Sequence, residues 1–290
     1  MVIRPYFSLV TATLDGYKRI SGLLNSLKFQ NFKSFELIIV DQSEDTKKLV
    51  NAVKVSGLKN VKIINTKLKH LSKARNLGIN VAKGKIIGFP DDDLTYAPDF
   101  LGRVKTKFEK NDIFYLSCCV RESKSKKKLP ISPISYDKEI TTIDIFRLVT
   151  SAGLFIKNEN IKFDTMFGIG AKYGSCEEID LAMRLKRKKK RGRYYPQLAV
   201  YHPPIKPVKF QNKAKIISRS IGHGGLWAKH FDHYLNEFAI IVPISYVFLK
   251  PLANIVKNSY NLDNFNTCLI IFLSTIKGFI TYIKDDFNQS

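Results

Sequence analysis

Cysteine is scarce, with four in 290 residues. Cys118 and Cys119 are adjacent and Cys176 and Cys268 stand alone, which excludes a disulfide framework and a C-x-x-C zinc site. Reduced thiols in a cytosolic setting are the expectation. A secretory pattern is missing: the first apolar stretch is broken by Arg4, Pro5 and Ser8, and no cleavage site follows. So is a clean run of about 20 apolar residues, the length of a membrane span. Residues 238–256 are interrupted by Pro243, Lys250 and Pro251, and residues 268–283 are short and carry Lys277. No RNP-like aromatic motif, zinc finger or helix-turn-helix supports nucleic acid as the partner. Acid is short as well: 25 Asp+Glu against 48 Lys+Arg leave a net charge of +23. Such a charge binds counter-charge or repels itself, so anionic membrane, nucleic acid and phosphorylated small molecules are the partner classes. With 44% apolar and 25% charged residues, the chain is globular rather than disordered, collagen-like or coiled coil.

What is present alternates between two hydrophobic periods. Residues 7–13, 35–41, 61–64 and 85–89 read as strands, and 15–29, 45–55 and 71–81 as helices. Strand–helix alternation at this spacing means βαβ units and a mostly parallel sheet, in which ligands bind beyond the carboxyl ends of the strands. Asp15, Asp41 and the run Asp91-Asp92-Asp93 all stand just past strand ends. Further on, 121–128 is a basic loop, 151–157 a strand, 163–175 a loop with Gly168, Gly170 and Gly174, 178–190 a helix and 194–201 a strand. Pro203, Pro204 and Pro207 end regular structure. A basic helix at 213–230 and two apolar stretches follow, suited to interfacial or re-entrant helices on an anionic membrane, or to a helical hairpin packed on the catalytic domain or on a second subunit of a homodimer.

Three adjacent carboxylates repel one another unless a cation sits among them. Oxygen ligands of this kind suit Mg²⁺ or Mn²⁺. Asp91 and Asp93, two apart in extended chain, share a side; the plain alternative is an exposed acidic turn. Ser175 with Glu178 has capping-box spacing, so Glu178 is either a helix cap or a general base, with Asp180 close behind. His202 ends a strand, where a histidine is usually structural unless a metal site exists beside it. Ser72 is placed to cap the helix carrying Lys73 and Arg75, which face either solvent or a diphosphate. Eight of the ten residues 184–193 are basic, a run that suits either a solvated helix end or contact with anionic lipid or a lipid-diphosphate acceptor.

Taken in order, these segments resemble the bacterial family 2 glycosyltransferases of capsule, O-antigen and exopolysaccharide assembly. Phe7–Thr13 is similar to the opening strand, Ile39-Val40-Asp41-Gln42-Ser43 to the second strand end, and Leu71-Ser72-Lys73-Ala74-Arg75-Asn76-Leu77-Gly78 to the SxARNxG helix. Phe89-Pro90-Asp91-Asp92-Asp93 is similar to the D-x-D motif and Cys176-Glu177-Glu178-Ile179-Asp180-Leu181 to the acidic ED motif. The resemblance spans roughly residues 6–230 and implies an α/β GT-A fold: a mostly parallel, Rossmann-like sheet flanked by helices, here with an apolar helical extension. It implies a nucleotide-half at 1–120, an acceptor half at 121–205 and a C-terminal region at 206–290.

The same resemblance implies an inverting transfer from a nucleotide-sugar, with a UDP-sugar expected, to a glycan or lipid-linked acceptor, assisted by Mg²⁺ or Mn²⁺. Thr11, Asp15, Asp41, Arg75, Asp91 and Asp92 would bind donor. Asp91, Asp93 and His202 would hold the metal. Glu178, where the family usually has aspartate, would be the base, with Asp180 second. The 163–175 loop would close over donor. The chain is expected at the cytoplasmic face of the membrane. Two alternatives stand beside this: a basic membrane- or nucleic-acid-binding protein without catalysis, and a sugar nucleotidyltransferase. The latter wants a glycine-rich phosphate loop after the first strand, where Thr13-Leu14-Asp15-Gly16 offers one glycine.

Overall fold

The computed structural model describes residues 4–123, 125, 134–204, 212–236, 245, 253, 256 and 262–287. They pack as two compact units, Met1–Phe163 with Arg184–Pro204, and Asp164–Met183 with Ile205–Ser290. Packing thus groups 164–183 with the C-terminal helices, a different division from the functional one expected at 120 and 205.

The first unit is built on β1 (Phe7–Thr13), β2 (Phe35–Asp41), β3 (Val61–Asn65), β4 (Ile86–Gly88), β5 (Thr95–Tyr96), β6 (Tyr115–Glu122), β7 (Lys138–Glu139), β8 (Leu154–Lys157) and β9 (Gly192–His202). The sheet order is β3-β2-β1-β4-β8-β6-β9-β5, with β7 also on β9. β3, β2, β1 and β4 run parallel, β8 runs against both β4 and β6, and β9 lies parallel to β6. Among the described strands, β8 and the two short strands β5 and β7 therefore oppose the common direction.

Among the described residues, the α-helices wholly in this unit are α1 (Ser21–Lys28), α2 (Lys47–Ser56), α3 (Leu71–Val81), α4 (Phe100–Lys110) and α5 (Thr142–Leu148). The pleat sorts the core. Phe7 and Leu9 of β1 join Leu37 and Ile39 of β2, Leu23 and Leu27 of α1 and Val104 of α4 in one fully buried cluster. Val10 and Val40, on the opposite face, lie under α3. These two-sided apolar runs are what a strand covered on both faces requires. α4, β6 and α5 are additions to the elements read from sequence, and residues 121–122 of the expected basic loop belong to β6.

α6 (Glu177–Arg187) begins in the second unit and ends in the first. The second unit also holds α7 (Lys213–Lys229), α8 (Phe231–Asn236) and α9 (Leu262–Phe287). Asn212 caps α7, its side-chain oxygen accepting from the Ala214 amide at 2.8 Å. α7 and α9 touch backbone to backbone: a Cβ at Gly224 would lie 1.9 Å from the Thr275 carbonyl oxygen. α9 corrects the expectation of a short second apolar stretch. Within it, Asn264–Phe287 is long and apolar enough to cross a membrane, by length and composition. Most of the first stretch, 238–256, lies outside the described residues.

Candidate active site

The acids at the strand ends meet the basic chain one by one. β1 and β2 pair with Thr13 opposite Asp41. Asp41 is almost fully buried. Its Oδ1 accepts from the Ser43 amide at 3.1 Å and hydroxyl at 2.5 Å. Its Oδ2 is buried with no hydrogen-bond partner among the described residues, as is Thr11 Oγ1 on β1. A buried carboxylate oxygen left unpaired costs free energy, and it is a natural place for a ligand N–H. Ser43 Oγ also accepts from the Asp15 amide at 2.8 Å. That contact holds Asp15, exposed and at φ 51°, in the left-handed turn after β1.

Residues 91–94 form a turn, closed by the Leu94 amide donating to the Asp91 carbonyl at 3.3 Å. The expectation that Asp91 and Asp93 share a side in extended chain is therefore corrected. The turn splits the three carboxylates among three bases. Asp91 pairs with Arg75 at 3.3 Å, Asp92 with Arg19 at 2.8 Å, and Asp93 faces His202 at 3.5 Å. Asp92 also accepts from Thr13 Oγ1 at 2.5 Å. Bonding to Asp92 strengthens the hold of Arg19 on its own proton. Gly16 makes room for this knot, since a Cβ there would stand 2.0 Å from Thr13 Oγ1 and 2.1 Å from Asp92 Oδ2.

Arg75 is almost fully buried and lies over the Phe163 ring, 5.3 Å from its centroid. α3 presents it from its first turns, but the cap is His70 rather than Ser72. His70 Nδ1 accepts from the Lys73 amide at 3.4 Å, while Ser72 is buried inside the helix. Lys73 points to solvent.

The β5–β9 ladder brings Asp93 and His202 together. Thr95 pairs with Tyr201, so the residue after Tyr201 stands beside the turn before Thr95. His202 Nδ1 donates to the Pro203 carbonyl at 2.6 Å. In a neutral ring this leaves the Nε2 lone pair facing Asp93 Oδ1, which has no hydrogen-bond partner among the described residues. Two acceptors facing one another want a cation between them. Among the described residues no group of three His, Cys, Asp or Glu side chains is set to hold a metal ion. Of the three expected ligands, Asp93 and His202 are brought together and Asp91 turns to Arg75.

In the second unit the acidic turn opens α6. Its cap position is Cys176, at φ 71°, so the expected Ser175–Glu178 capping box is corrected. The helix starts one residue too late for Ser175, whose hydroxyl instead donates to the Arg219 carbonyl at 2.9 Å. Burial pushes the Cys176 thiol up, which keeps it protonated and unreactive. Glu178 is half-buried and Asp180 fully buried. Asp180 Oδ1 sits 2.6 Å from Lys229 Nζ and 3.0 Å from His230 Nε2. The roles of Arg19, Thr13, Lys229 and His230 escaped the sequence reading, because no local pattern ties a lysine at 229 to an aspartate at 180.

The sequence model of the family described as Glycosyl transferase family 2 matches residues 8–179. The amylovoran biosynthesis glycosyltransferase AmsB of Erwinia amylovora is 27% identical over 192 residues, 60% of this chain and 64% of that protein. The Escherichia coli protein WfaP, a UDP-Glc:alpha-D-GlcNAc-diphosphoundecaprenol beta-1,3-glucosyltransferase, is 33% identical over 88 residues, 30% of this chain and 34% of its own. The chain thus matches less than two thirds of the length of these relatives. Among solved structures, S. aureus TarS 1-349 in complex with UDP-GlcNAc has a TM-score of 0.60 at 16% identity, covering 94% of this chain and 92% of that one. The mannosyltransferase PcManGT from Pyrobaculum calidifontis, in complex with GDP-Man and Mn²⁺, has a TM-score of 0.60 at 17% identity, covering 98% and 88%. At these identities the likeness is one of fold.

Proposed function

Because this chain belongs to glycosyl transferase family 2 and has the GT-A fold, we propose that it moves a sugar from a UDP-sugar to a hydroxyl of a glycan or lipid-linked acceptor in surface-polysaccharide synthesis. The observation that carries this reading is the strand-end site, with its unpaired Asp41 Oδ2 and the facing pair Asp93 and His202. Asp41 is acceptor-only when ionised, so it suits a nucleobase that presents an N–H, as uracil does at N3. Thr11 lies two residues before Thr13, the partner of Asp41 in the ladder, and serves the same end of the donor. Asp15 and Asp92 belong to this donor site, the second held in place by Thr13 and Arg19. Arg75, paired with Asp91, serves the diphosphate and offsets the charge that grows there, while Asp91 serves the ribose side of the donor.

The residues present fit a divalent cation. Asp93 and His202 supply two donors, and Mg²⁺ and Mn²⁺ commonly complete their shell with substrate phosphates and water. Hydrogen bonding of Nδ1 to a backbone carbonyl is the usual support of a ligating imidazole. When bound, the cation supplies positive charge to the departing diphosphate.

Glu178 takes the base role. It removes the acceptor hydroxyl proton as that oxygen bonds to C1 of the sugar. The C1–phosphate oxygen bond breaks on the opposite face and the nucleoside diphosphate leaves, so the anomeric centre inverts. Asp180 is a poor base because it is fully buried with Lys229 and His230 on one of its oxygens. WfaP is named for a diphosphoundecaprenol acceptor, which supports a lipid-linked acceptor here.

We read the outer face of α9 as the membrane contact. Leu273, Ile280, Ile283 and Phe287 are exposed there, 7, 3 and 4 residues apart, on one helical stripe bordered by exposed Lys277 and Lys284. Sedimentation with phosphatidylglycerol vesicles but not with phosphatidylcholine vesicles is expected. No binding to either, with a dimer in solution, would move this face to a subunit interface.

The test of the function is a thermal-shift panel of UDP, GDP, CDP, dTDP and ATP, each with Mn²⁺ and with EDTA. A nucleotide at 100 times its Kd adds about 2.7 kcal/mol of stability. A metal-dependent shift with UDP is expected. A folded sample that responds to none of the five defeats the donor-site reading and favours a non-catalytic basic binding protein.

A further inference from the structure

Segment 164–183 is tied to the C-terminal helices along its whole length. At its start, Lys229 Nζ lies 2.5 Å from Asp164 Oδ2 and 2.6 Å from Asp180 Oδ1, and 5.1 Å from the centroid of the Phe167 ring. In its middle, Phe167, Tyr173 and Tyr282 form an aromatic cluster with centroids 5.2 to 6.3 Å apart. Phe167 and Tyr173 also bridge to one another across the loop. In the same middle stretch, Tyr173 Oη donates to Asp285 Oδ2 at 2.6 Å and Lys172 Nζ meets Asp285 Oδ1 at 2.7 Å, and near the end His230 Nε2 lies 3.0 Å from Asp180 Oδ1. Gly174 and Gly225 sit where a side chain would strike Ser218 and Tyr173.

A lid that opens and closes over donor needs a segment of low local stability, with few buried contacts. This segment has the opposite character. Its glycines fill tight packing positions, at Gly174, or turns of positive φ, at Gly168 and Gly170. Fully buried Asp180 receives Lys229 and His230 on one oxygen, so an acceptor hydroxyl has no path to it. Of the two candidate acids, half-buried Glu178 is left to meet the acceptor.

We infer that 164–183 is a preset acceptor platform, and that Lys229 and Asp285 are positioning residues that hold it. Asp180 is its anchor. The inference rests on the proposed role of the acidic turn. It replaces the expectation of a loop that closes on donor.

The full chain decides it by two readouts. Hydrogen exchange of 164–183 is followed with and without UDP and Mn²⁺ (GDP and Mn²⁺ if the panel selects GDP). Release of UDP from UDP-glucose and UDP-GlcNAc, with water as acceptor, gives kcat and donor KM. In the unaltered chain, exchange of 164–183 is expected to be slow and unchanged by nucleotide. Lys229→Met should lower kcat about tenfold or more, as misplacement of a reacting group does, leave donor KM within about twofold and speed exchange of 164–183. Lys229→Arg should restore most of kcat, and Asp285→Asn should show a weaker form of the same pattern. Protection of 164–175 that appears only with nucleotide would overturn the platform in favour of a lid. Wild-type kcat in both Lys229→Met and Asp285→Asn would overturn the positioning roles. Should Lys229→Met fail to fold, Asp285→Asn and the exchange of the unaltered chain carry the test. A nucleotide that binds nowhere in the panel defeats the proposed function instead, an outcome distinct from both.

Discussion

Asp93 and Asp180 are aspartates in short acidic runs of one strongly basic chain, and their surroundings differ in kind. Asp93 stands on a surface turn, partly exposed, with one oxygen facing an imidazole at 3.5 Å and accepting no hydrogen bond from the described residues. Asp180 is sealed in a helix turn with a lysine and a histidine on a single oxygen. The first is a carboxylate with spare capacity for a ligand. The second has spent its capacity on its own protein. A run of acid is therefore not a site by itself. What decides is whether the fold brings cations of its own to it, since a buried charge without a partner is too costly to keep.

The contrast predicts opposite responses to mutation. Asp180→Asn should cost about 3 kcal/mol in urea unfolding. That is the lower end of what breaking a buried pair costs, because Lys229 keeps Asp164. Asp93→Ala should change stability by less than about 1 kcal/mol yet cut turnover roughly a hundredfold, the scale of losing one electrostatic contact to the transition state. Its metal-dependent nucleotide shift should vanish too. If Asp93→Ala unfolds the chain while Asp180→Asn only slows turnover, the two assignments are reversed.

Histidines sharpen the comparison more gently. His230 pairs with Asp180, whereas His223, seven residues earlier, has Arg219 as its neighbour. Burial first and Arg219 second push the His223 imidazole down to about 4 from 6.5. The unfolded chain takes up that proton below 6.5 and the folded chain refuses it until about 4. Stability therefore falls as pH falls through this window. The expected loss from pH 7 to 5 is about 1–2 kcal/mol, reduced from the full shift because the ring is partly exposed. Urea titrations at the two pH values should show that slope flattened in His223→Gln. An unchanged slope would assign it to other groups.

Much of the fold was legible. β1, β2 and β4 follow from apolar runs buried on both faces and α1 from one helical stripe, and the acids just past those strands follow from the direction of a parallel sheet. α4 carries Phe100, Leu101, Val104 and Phe108 at helical spacing, but its neighbour β6 mixes Ser117, Cys118 and Cys119 into an apolar run without clear period. β5 and β7 are two residues each and exist only because β9 offers them an edge. The basic run of 184–193 is partly explained by packing and pairing: Arg184 donates to the Lys162 carbonyl, Lys190 pairs with Glu159, and Arg191 lies near Asp112 and Glu139.

Local pattern in the chain was enough for the parallel strands β1 to β4, their direction and the positions of the acids relative to their ends, because period and strand-end chemistry are local. Tertiary structure alone decided which acid meets which base. Arg75 with Asp91, Arg19 with Asp92, His202 with Asp93 and Lys229 with Asp180 are pairs 16 to 109 residues apart. Ion pairing depends on distance and burial in space, and neither is written in the spacing along the chain.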